Sequence, residues 1–302
     1  MSMWLNRLIV ESLRFVPKGL VYRFASRYIA GDTLEDAVAL VKDLNQRGIM
    51  ATLDVLGEGI TSLGEAEVAV NEYMKALDAI QTHGLNCNVS LKPTQFGMSL
   101  DPGVATTHIT KIVARASELQ NFVRIDMEDT PYTQLTLDLY RQLRQVYPGR
   151  VGTVVQAYLR RTIDDVLSLI QEGPTNLRLC KGIYIEPRHH AWKDFDIVRE
   201  NYQFVLEEAL KRGAYIGIAT HDEWLFFQAD RLIKQLGLEP HQFEFQMLLG
   251  VDKELQDLML ARGYRLRLYV PYGVNWYPYS MRRLRENPQI AFHIIKNLFQ
   301  AG

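Results

Sequence analysis

Cysteine is almost missing from this 302-residue chain: only Cys87 and Cys180 occur, far apart in the sequence. Without paired spacing they exclude a disulfide framework and a thiolate zinc site, and they fit a reducing cytoplasm. Long apolar runs are missing too. None approaches the ~20 residues needed to span a bilayer, and the start lacks the continuous apolar core of a secretory signal. A formal net charge of −1 leaves no basic excess for neutralising phosphates, so no nucleic-acid partner is expected. Glycine-rich dinucleotide turns are absent as well. The one candidate, GEGITSLG, lacks G-x-G-x-x-G spacing and reads as an ordinary loop into a helix. No Pro/Gly/Ser-rich linker divides the chain, which is read as a single domain over residues 1–302.

What is present is a repeated strand–helix pattern. Eight short β-branched or apolar runs appear from residue 49 onward: MATLDV, NCNVSLK, FVRIDM, GTVVQAY, NLRLCKG, YIGIAT, FEFQML and LRLYVPYG. Between them, segments such as GEAEVAVNEYMKALDAIQTHG space apolar residues by three and four and end at Gly, as helices do. This alternation predicts an α/β (βα)₈ barrel over residues 49–287, with additional N-terminal helices over 1–48 and a C-terminal helix over 288–302. Strands of such a barrel are covered on both faces and read as near-continuous apolar runs, and the polar residues here fall mainly at the C-terminal ends. That rim is where barrel enzymes hold their chemistry. It collects Asp54, Lys92, Asp126, Glu128, Gln156, Lys181, Thr220, His221 and Gln246.

The first thirty residues are basic and amphipathic, with Arg7, Arg14, Lys18, Arg23 and Arg27 against Glu11 alone. A helix packed across the barrel with its charges in water is the ordinary use of such a segment; peripheral contact with the inner face of a membrane is the alternative. Oligomeric state has no signature in the sequence.

The most unusual stretch is VPYGVNWYPYSMRRLRENPQ, in which Tyr279, Arg282, Arg283 and Glu286 share one helical face after the eighth strand. Two guanidinium forks at a barrel mouth suit a small carboxylate, and Glu286 could hold one of them; a solvated basic face is the plainer use. Lys92 ends the second strand, where it would pair with a substrate carboxylate or with Asp54, Asp126 or Glu128. Strand alternation puts Asp126 and Glu128 on one face and Met127 on the other, unless the strand has already ended there, and Arg178 and Lys181 at opposite parity, followed by Gly182. Those cations could neutralise a flavin or a phosphate, or join rim ion pairs. Thr220, His221 and Asp222 open a helix whose N–H groups favour an anion such as a pyrophosphate. His189 and His190 are expected on the surface, facing apart.

IDMEDT, VVQAYLRRT, LRLCKGIYIEP, ATHD, FEFQMLLG and RLYVPYGVNWYPYSMRRLRENP, in this order and each at a strand end, resemble bacterial proline dehydrogenase over about residues 50–290. The resemblance implies a TIM-type barrel that binds FAD noncovalently and oxidises L-proline to Δ¹-pyrroline-5-carboxylate, the first step of proline degradation, with electrons passed to a quinone. Carried over by motif, Lys92, Arg282 and Arg283 would clamp the proline carboxylate, Tyr269 and Tyr279 would wall its ring, and Glu286 would brace the arginine helix. Asp126 would orient the basic cluster and Arg178 would sit beside the flavin N5. Met127, Gln156, Lys181, Gly182, Ile183, Thr220, His221 and Gln246 would line FAD. Two positions depart from the family pattern: Ile183 stands where Ala is more usual and Cys180 where Val is. A Schiff-base lyase using Lys92 or Lys181, a non-catalytic flavin scaffold, and hydroxyproline as substrate are the readings left beside it.

Overall fold

The computed structural model describes residues 26–57 and 59–286, with side chains described through Met281. Eight strands close into a barrel in chain order, each parallel to its neighbours, with β8 returning to β1. The order is α1 (Leu34–Gln46), β1 (Met50–Val55), α2 (Leu63–Thr82), β2 (Cys87–Leu91), α3 (Pro102–Glu118), β3 (Val123–Ile125), α4 (Thr130–Val146), β4 (Val151–Gln156) and α5 (Thr162–Gln171). It continues with β5 (Asn176–Cys180), α6 (Phe195–Lys211), β6 (Tyr215–Ala219), α7 (Glu223–Leu236), β7 (Phe243–Leu248), α8 (Lys253–Ala261), β8 (Leu266–Tyr272) and α9 (Trp276–Glu286). One of the two helices expected before β1 is therefore α1, and the rest of that expectation, like the helix over 288–302, lies outside the described residues.

Helix starts follow the local chemistry. Thr33 and Asp36 form a capping box on α1, and Asp101 accepts from Gly103 and Val104 ahead of α3, where Pro102 occupies the first turn. Each leaves fewer orphan N–H groups at the helix end. The helices lay Val41, Tyr73, Leu77, Ile109 and Tyr202 against the outward strand residues Leu53, Val89, Leu91, Ile125, Leu179 and Ile218 in one continuous core. Burial on both sides of the strands fixes this packing.

The inside of the barrel corrects one expectation. Polar side chains are not confined to the C-terminal ends: Asn88, Arg124, Arg178, Glu244 and Gln246 are buried in the barrel along its axis. Crossbars satisfy them. Arg267 Nε donates to Glu244 at 2.7 Å and its Nη1 to Asn88 Oδ1 at 2.8 Å, while Arg124 reaches the carbonyls of Thr153 and Asn176 at 2.8 and 3.0 Å. A Cβ on Gly152 would collide with the Arg124 guanidinium and stand 2.7 Å from the Asn176 carbonyl, so only glycine leaves room for that bar.

Glu244 gives a pH prediction. Burial raises its carboxyl, but the Arg267 guanidinium and further hydrogen bonds outweigh this and hold it down at about 2. A carboxyl depressed in the folded state contributes stability fully above its ordinary value near 4.5, and that stability is lost as pH falls towards 2. Glu244→Gln is expected to flatten the loss of thermal stability between those pH values. Wild-type and variant unfolding curves with parallel pH slopes would show that Glu244 is not the titrating group.

Candidate active site

At the C-terminal mouth lies a cavity of about 850 Å³. Lys92, Asp126, Met127, Gln156, Arg178, Lys181, Gly182, Ile183, Thr220, His221, Gln246, Tyr269 and Tyr279 all line it; of the rim residues read from the sequence, Asp54 and Glu128 do not. The side chains of Arg282, Arg283 and Glu286 lie outside the described residues; their backbone belongs to α9.

The floor is a closed ionic ring. Lys92 Nζ stands 3.1 Å from Asp54 Oδ2 and 3.8 Å from Asp126 Oδ2. Arg178 Nη1 donates to Asp126 Oδ1 at 2.6 Å, its Nη2 to Ser90 Oγ at 2.9 Å and its Nε to Gln246 Oε1 at 2.5 Å. Tyr269 accepts from Lys92 at 3.0 Å and donates to Asp126 at 3.0 Å. Burial, then the nearby carboxylates of Asp126 and Asp54, push the Tyr269 phenol well up, so it keeps its proton and remains a donor. Tyr73, fully buried on α2, donates to the Ser90 carbonyl at 2.7 Å and to Asp54 at 3.2 Å, locking the ring from behind. Two cations face two carboxylates here. The ring is rigid and carries no surplus charge with which to attract an anion.

The opposite wall is built on the ends of β5 and β6. Lys181 Nζ meets Asp222 Oδ2 at 3.1 Å, and Arg199 grips the same carboxylate through Nε and Nη2, both at 2.8 Å. Burial raises Asp222, but its bonds to Arg199 and Lys181 prevail and hold it below the usual carboxylate range. Asp196 stands 4.0 Å from Arg199 as well, so the two cations share Asp222 and have a second, more exposed carboxylate at the edge. His221 Nε2 accepts from the Leu248 amide at 3.3 Å, and Thr220 Oγ1 accepts from the Asp222 amide at 3.0 Å. Gln156 spans to the Glu128 carbonyl at 2.9 Å. Gly182 sits at φ +109, and a Cβ there would enter the ring of Tyr158.

Other expectations are decided or corrected. β3 has already ended at Ile125, so of the two arrangements left open alternation does not apply to the next residues: Asp126 and Met127 both line the cavity, while Glu128 turns away to bind Thr94 N and Oγ1 at 2.9 and 2.5 Å. β5 likewise ends at Cys180, and Arg178 and Lys181 both face the cavity despite their opposite parity. The start of α7 is occupied by its own cap, because Asp222 accepts from Trp224 N; the anion-favouring charge there comes from Lys181 and Arg199. His189 and His190 are exposed as expected, but their rings lie 4.0 Å apart instead of facing away. Neither cysteine is an activated thiol: burial lifts Cys87 to about 12 and Cys180 to about 11. The residues missed by reading the sequence are Tyr73, Ser90 and Arg199, together with the ion pairs that Asp222 makes. Only Asp222, at a strand-to-helix junction before an apolar run, carried a local signal.

Residues 37–293 match the family model for proline dehydrogenase. The chain belongs to the proline dehydrogenase family. It is 40% identical over 276 residues to proline dehydrogenase 1 of Bacillus subtilis (strain 168), covering 91% of each chain. With the proline dehydrogenase of Deinococcus radiodurans it shares 35% identity over 284 residues, 93% of this chain and 91% of the other. Among solved structures, proline utilization A from Bdellovibrio bacteriovorus, inactivated by N-propargylglycine, superposes with a TM-score of 0.81 at 24% identity. That match covers 87% of this chain and 32% of the other, so this chain spans about a third of that protein; at this identity it speaks for the barrel alone.

Proline dehydrogenases of this family carry FAD, and the cavity fits it. Its lining is mainly apolar, with Met127, Val154, Met247 and Leu248 for a flat tricycle, and Lys181 and Arg199 place cationic donors at its edge for a pyrophosphate. The Gly182 turn lets the backbone pass close to Tyr158 and the cavity. Gly182→Ala is therefore expected to cost about 1–3 kcal/mol of backbone strain and to lower the flavin-to-protein absorbance ratio. Full flavin retention in that variant would show that the turn does not shape the cofactor wall.

Proposed function

We propose that the chain oxidises L-proline to Δ¹-pyrroline-5-carboxylate, opening the degradation of proline to glutamate, at the cavity on its C-terminal rim. The observation that carries this is the juxtaposition of the Lys92–Asp126–Arg178–Tyr269 ring with the apolar, cation-edged trough beside it. When bound, FAD supplies the two-electron acceptor. Met127, Gln156, Lys181, Gly182, Ile183, Thr220, His221 and Gln246 hold it, and Arg178 stands where a cation offsets charge gained by the ring system.

The remaining work belongs to the chain's own side chains. Because the ionic ring is neutral, the pull on the substrate carboxylate falls to Arg282 and Arg283, which follow the cavity-lining Tyr279 by one helical turn on α9. Lys92 adds a donor from below. Glu286, a further turn along, steadies the pair. Tyr269 and Tyr279 wall the five-membered ring, and confinement at about van der Waals distance presents the carbon beside nitrogen to the acceptor with water excluded. Asp126 is a positioning residue: it fixes Arg178 and Tyr269 in one geometry. A Schiff-base role for Lys92 finds no support, since its ammonium is bound between Asp54 and Tyr269.

Electrons leave to a quinone, for which the exposed Ile183, Ile185 and Phe195 at the β5–α6 edge offer an apolar approach. Membrane contact through the basic start of the chain accompanies this reading, with the rest of the protein in the cytoplasm; among the described residues no helix is long and apolar enough to cross a bilayer. Flotation with liposomes before and after removal of residues 1–25 checks the contact, and equal flotation removes it. For the reaction itself, incubation with L-proline, a short-chain quinone and an aromatic amino-aldehyde that condenses with cyclic imines should yield the coloured adduct in step with quinone loss. Quinone loss without adduct would place the oxidation at another bond.

A further inference from the structure

Beneath the active site, at the N-terminal end of the barrel, lies a second and smaller chamber of about 210 Å³. Arg178 and Gln246 line both cavities and so form the floor of one and the ceiling of the other. Asn88, Arg124, Asn176, Glu244, Arg265 and Arg267 supply most of its other polar lining. The reaction proposed above uses none of these six.

The charges in this chamber do not balance. Its lining holds one carboxylate, Glu244, and that is already taken by Arg267 at 2.7 and 3.1 Å and by the Tyr215 hydroxyl at 2.9 Å. Arg178 has its own counter-charge above, in Asp126 at 2.6 Å. Arg124 and Arg265 form no ion pair with a carboxylate among the described residues. Arg124 is 2% exposed, donates only to the neutral oxygens of Thr153 and Asn176, and its Nε has no hydrogen-bond partner. Glu244, already held by Arg267, acts on this guanidinium only without a direct bond, so the buried charge is under-compensated, a state folded proteins relieve by pairing it or binding a counterion. The cost shows in its acidity: burial, then the neighbouring Arg178, push Arg124 down to about 9, so it is still charged at neutral pH.

We infer that this chamber is a binding site for a small inorganic anion of the halide class, held between Arg124 and Arg265; Arg267, whose N–H groups are taken by Glu244, Asn88, Met50 and the Ala51 carbonyl, adds charge alone. The space accommodates one such ion with a few waters, each of which takes about 30 Å³. Arg265, half-buried, stands at its open side. An anion there supplies the counter-charge that Arg124 lacks, and it stabilises the native barrel by mass action. It lies on the far side of Arg178 from the proline cavity, so it is neither the substrate carboxylate site nor the pyrophosphate site.

Bromide diffused into crystals of the holoenzyme is the direct probe, with diffraction measured at its absorption edge. The expected result is an anomalous peak in the chamber within about 3.5 Å of the Arg124 or Arg265 guanidinium nitrogens. In solution, chloride is expected to raise the unfolding midpoint by about 2–4 °C over a bulky sulfonate at equal ionic strength. Arg124→Met should abolish that difference. Should Arg124→Met fail to fold, Arg265→Gln should raise the chloride concentration giving half the effect at least several-fold. A chamber without a bromide peak, or a midpoint indifferent to the identity of the anion, overturns the site. Neither result bears on proline oxidation, which is read separately from flavin absorbance.

Discussion

Arg282→Met and Arg283→Met each raise the KM for L-proline by roughly 30- to 4,000-fold, with flavin content unchanged. The size follows from truncating one partner of a charge-assisted pair, which costs about 2–5 kcal/mol, at 1.4 kcal/mol per tenfold. The location follows from charge. Lys92 and Arg178 are matched by Asp54 and Asp126 at 3.1 and 2.6 Å, so the charges on the cavity floor balance among the described residues. α9, which places Tyr279 in the cavity lining, carries two arginines in its next turn. Steady-state kinetics with proline, alongside the absorbance ratio of flavin to protein, separates this from a folding defect. Wild-type KM in both variants would move the clamp elsewhere.

Arg178→Met has a different signature. Its guanidinium binds Asp126, Ser90 and Gln246 at once, so removal frees Asp126 and loosens the wall against which the cofactor rests. The loss of one preorganised cation is expected to lower kcat by about 10²–10³-fold, with KM changed far less than by the α9 variants. Uncoupling a buried pair also costs stability, about 3–5 kcal/mol, so thermal unfolding should shift as well. Arg178→Lys keeps the charge but cannot bridge three partners, and partial recovery of kcat is expected from it. A variant that raised KM alone would place Arg178 in substrate binding instead.

How much of this could be read from the residues depends on the range of each contact. The barrel was legible because its evidence is local: β-branched runs such as VGTVVQ and YIGIA alternate with helical periods, and each strand pairs with the next in the sequence. The rim was legible for the same reason, since a polar residue at the end of an apolar run declares itself. Strand ends were less so. β3 is three residues long, too short for alternation to carry through to Met127. The crossbars were illegible: Arg124 reaches Asn176 across 52 residues of sequence, and Arg178 reaches Gln246 across 68, with no periodicity to link them. Asp222 was placed correctly at a helix start, but its capture by Arg199 depends on how α6 packs against α7, which no short window records.

The central claim is that this barrel passes electrons from L-proline to a flavin held at its C-terminal rim. Its most direct test is the visible spectrum of the purified protein, recorded anaerobically before and after addition of L-proline. An oxidised-flavin band that bleaches with proline is the predicted result. A protein that takes up no FAD on reconstitution, or whose flavin band is unchanged by saturating proline, contradicts it.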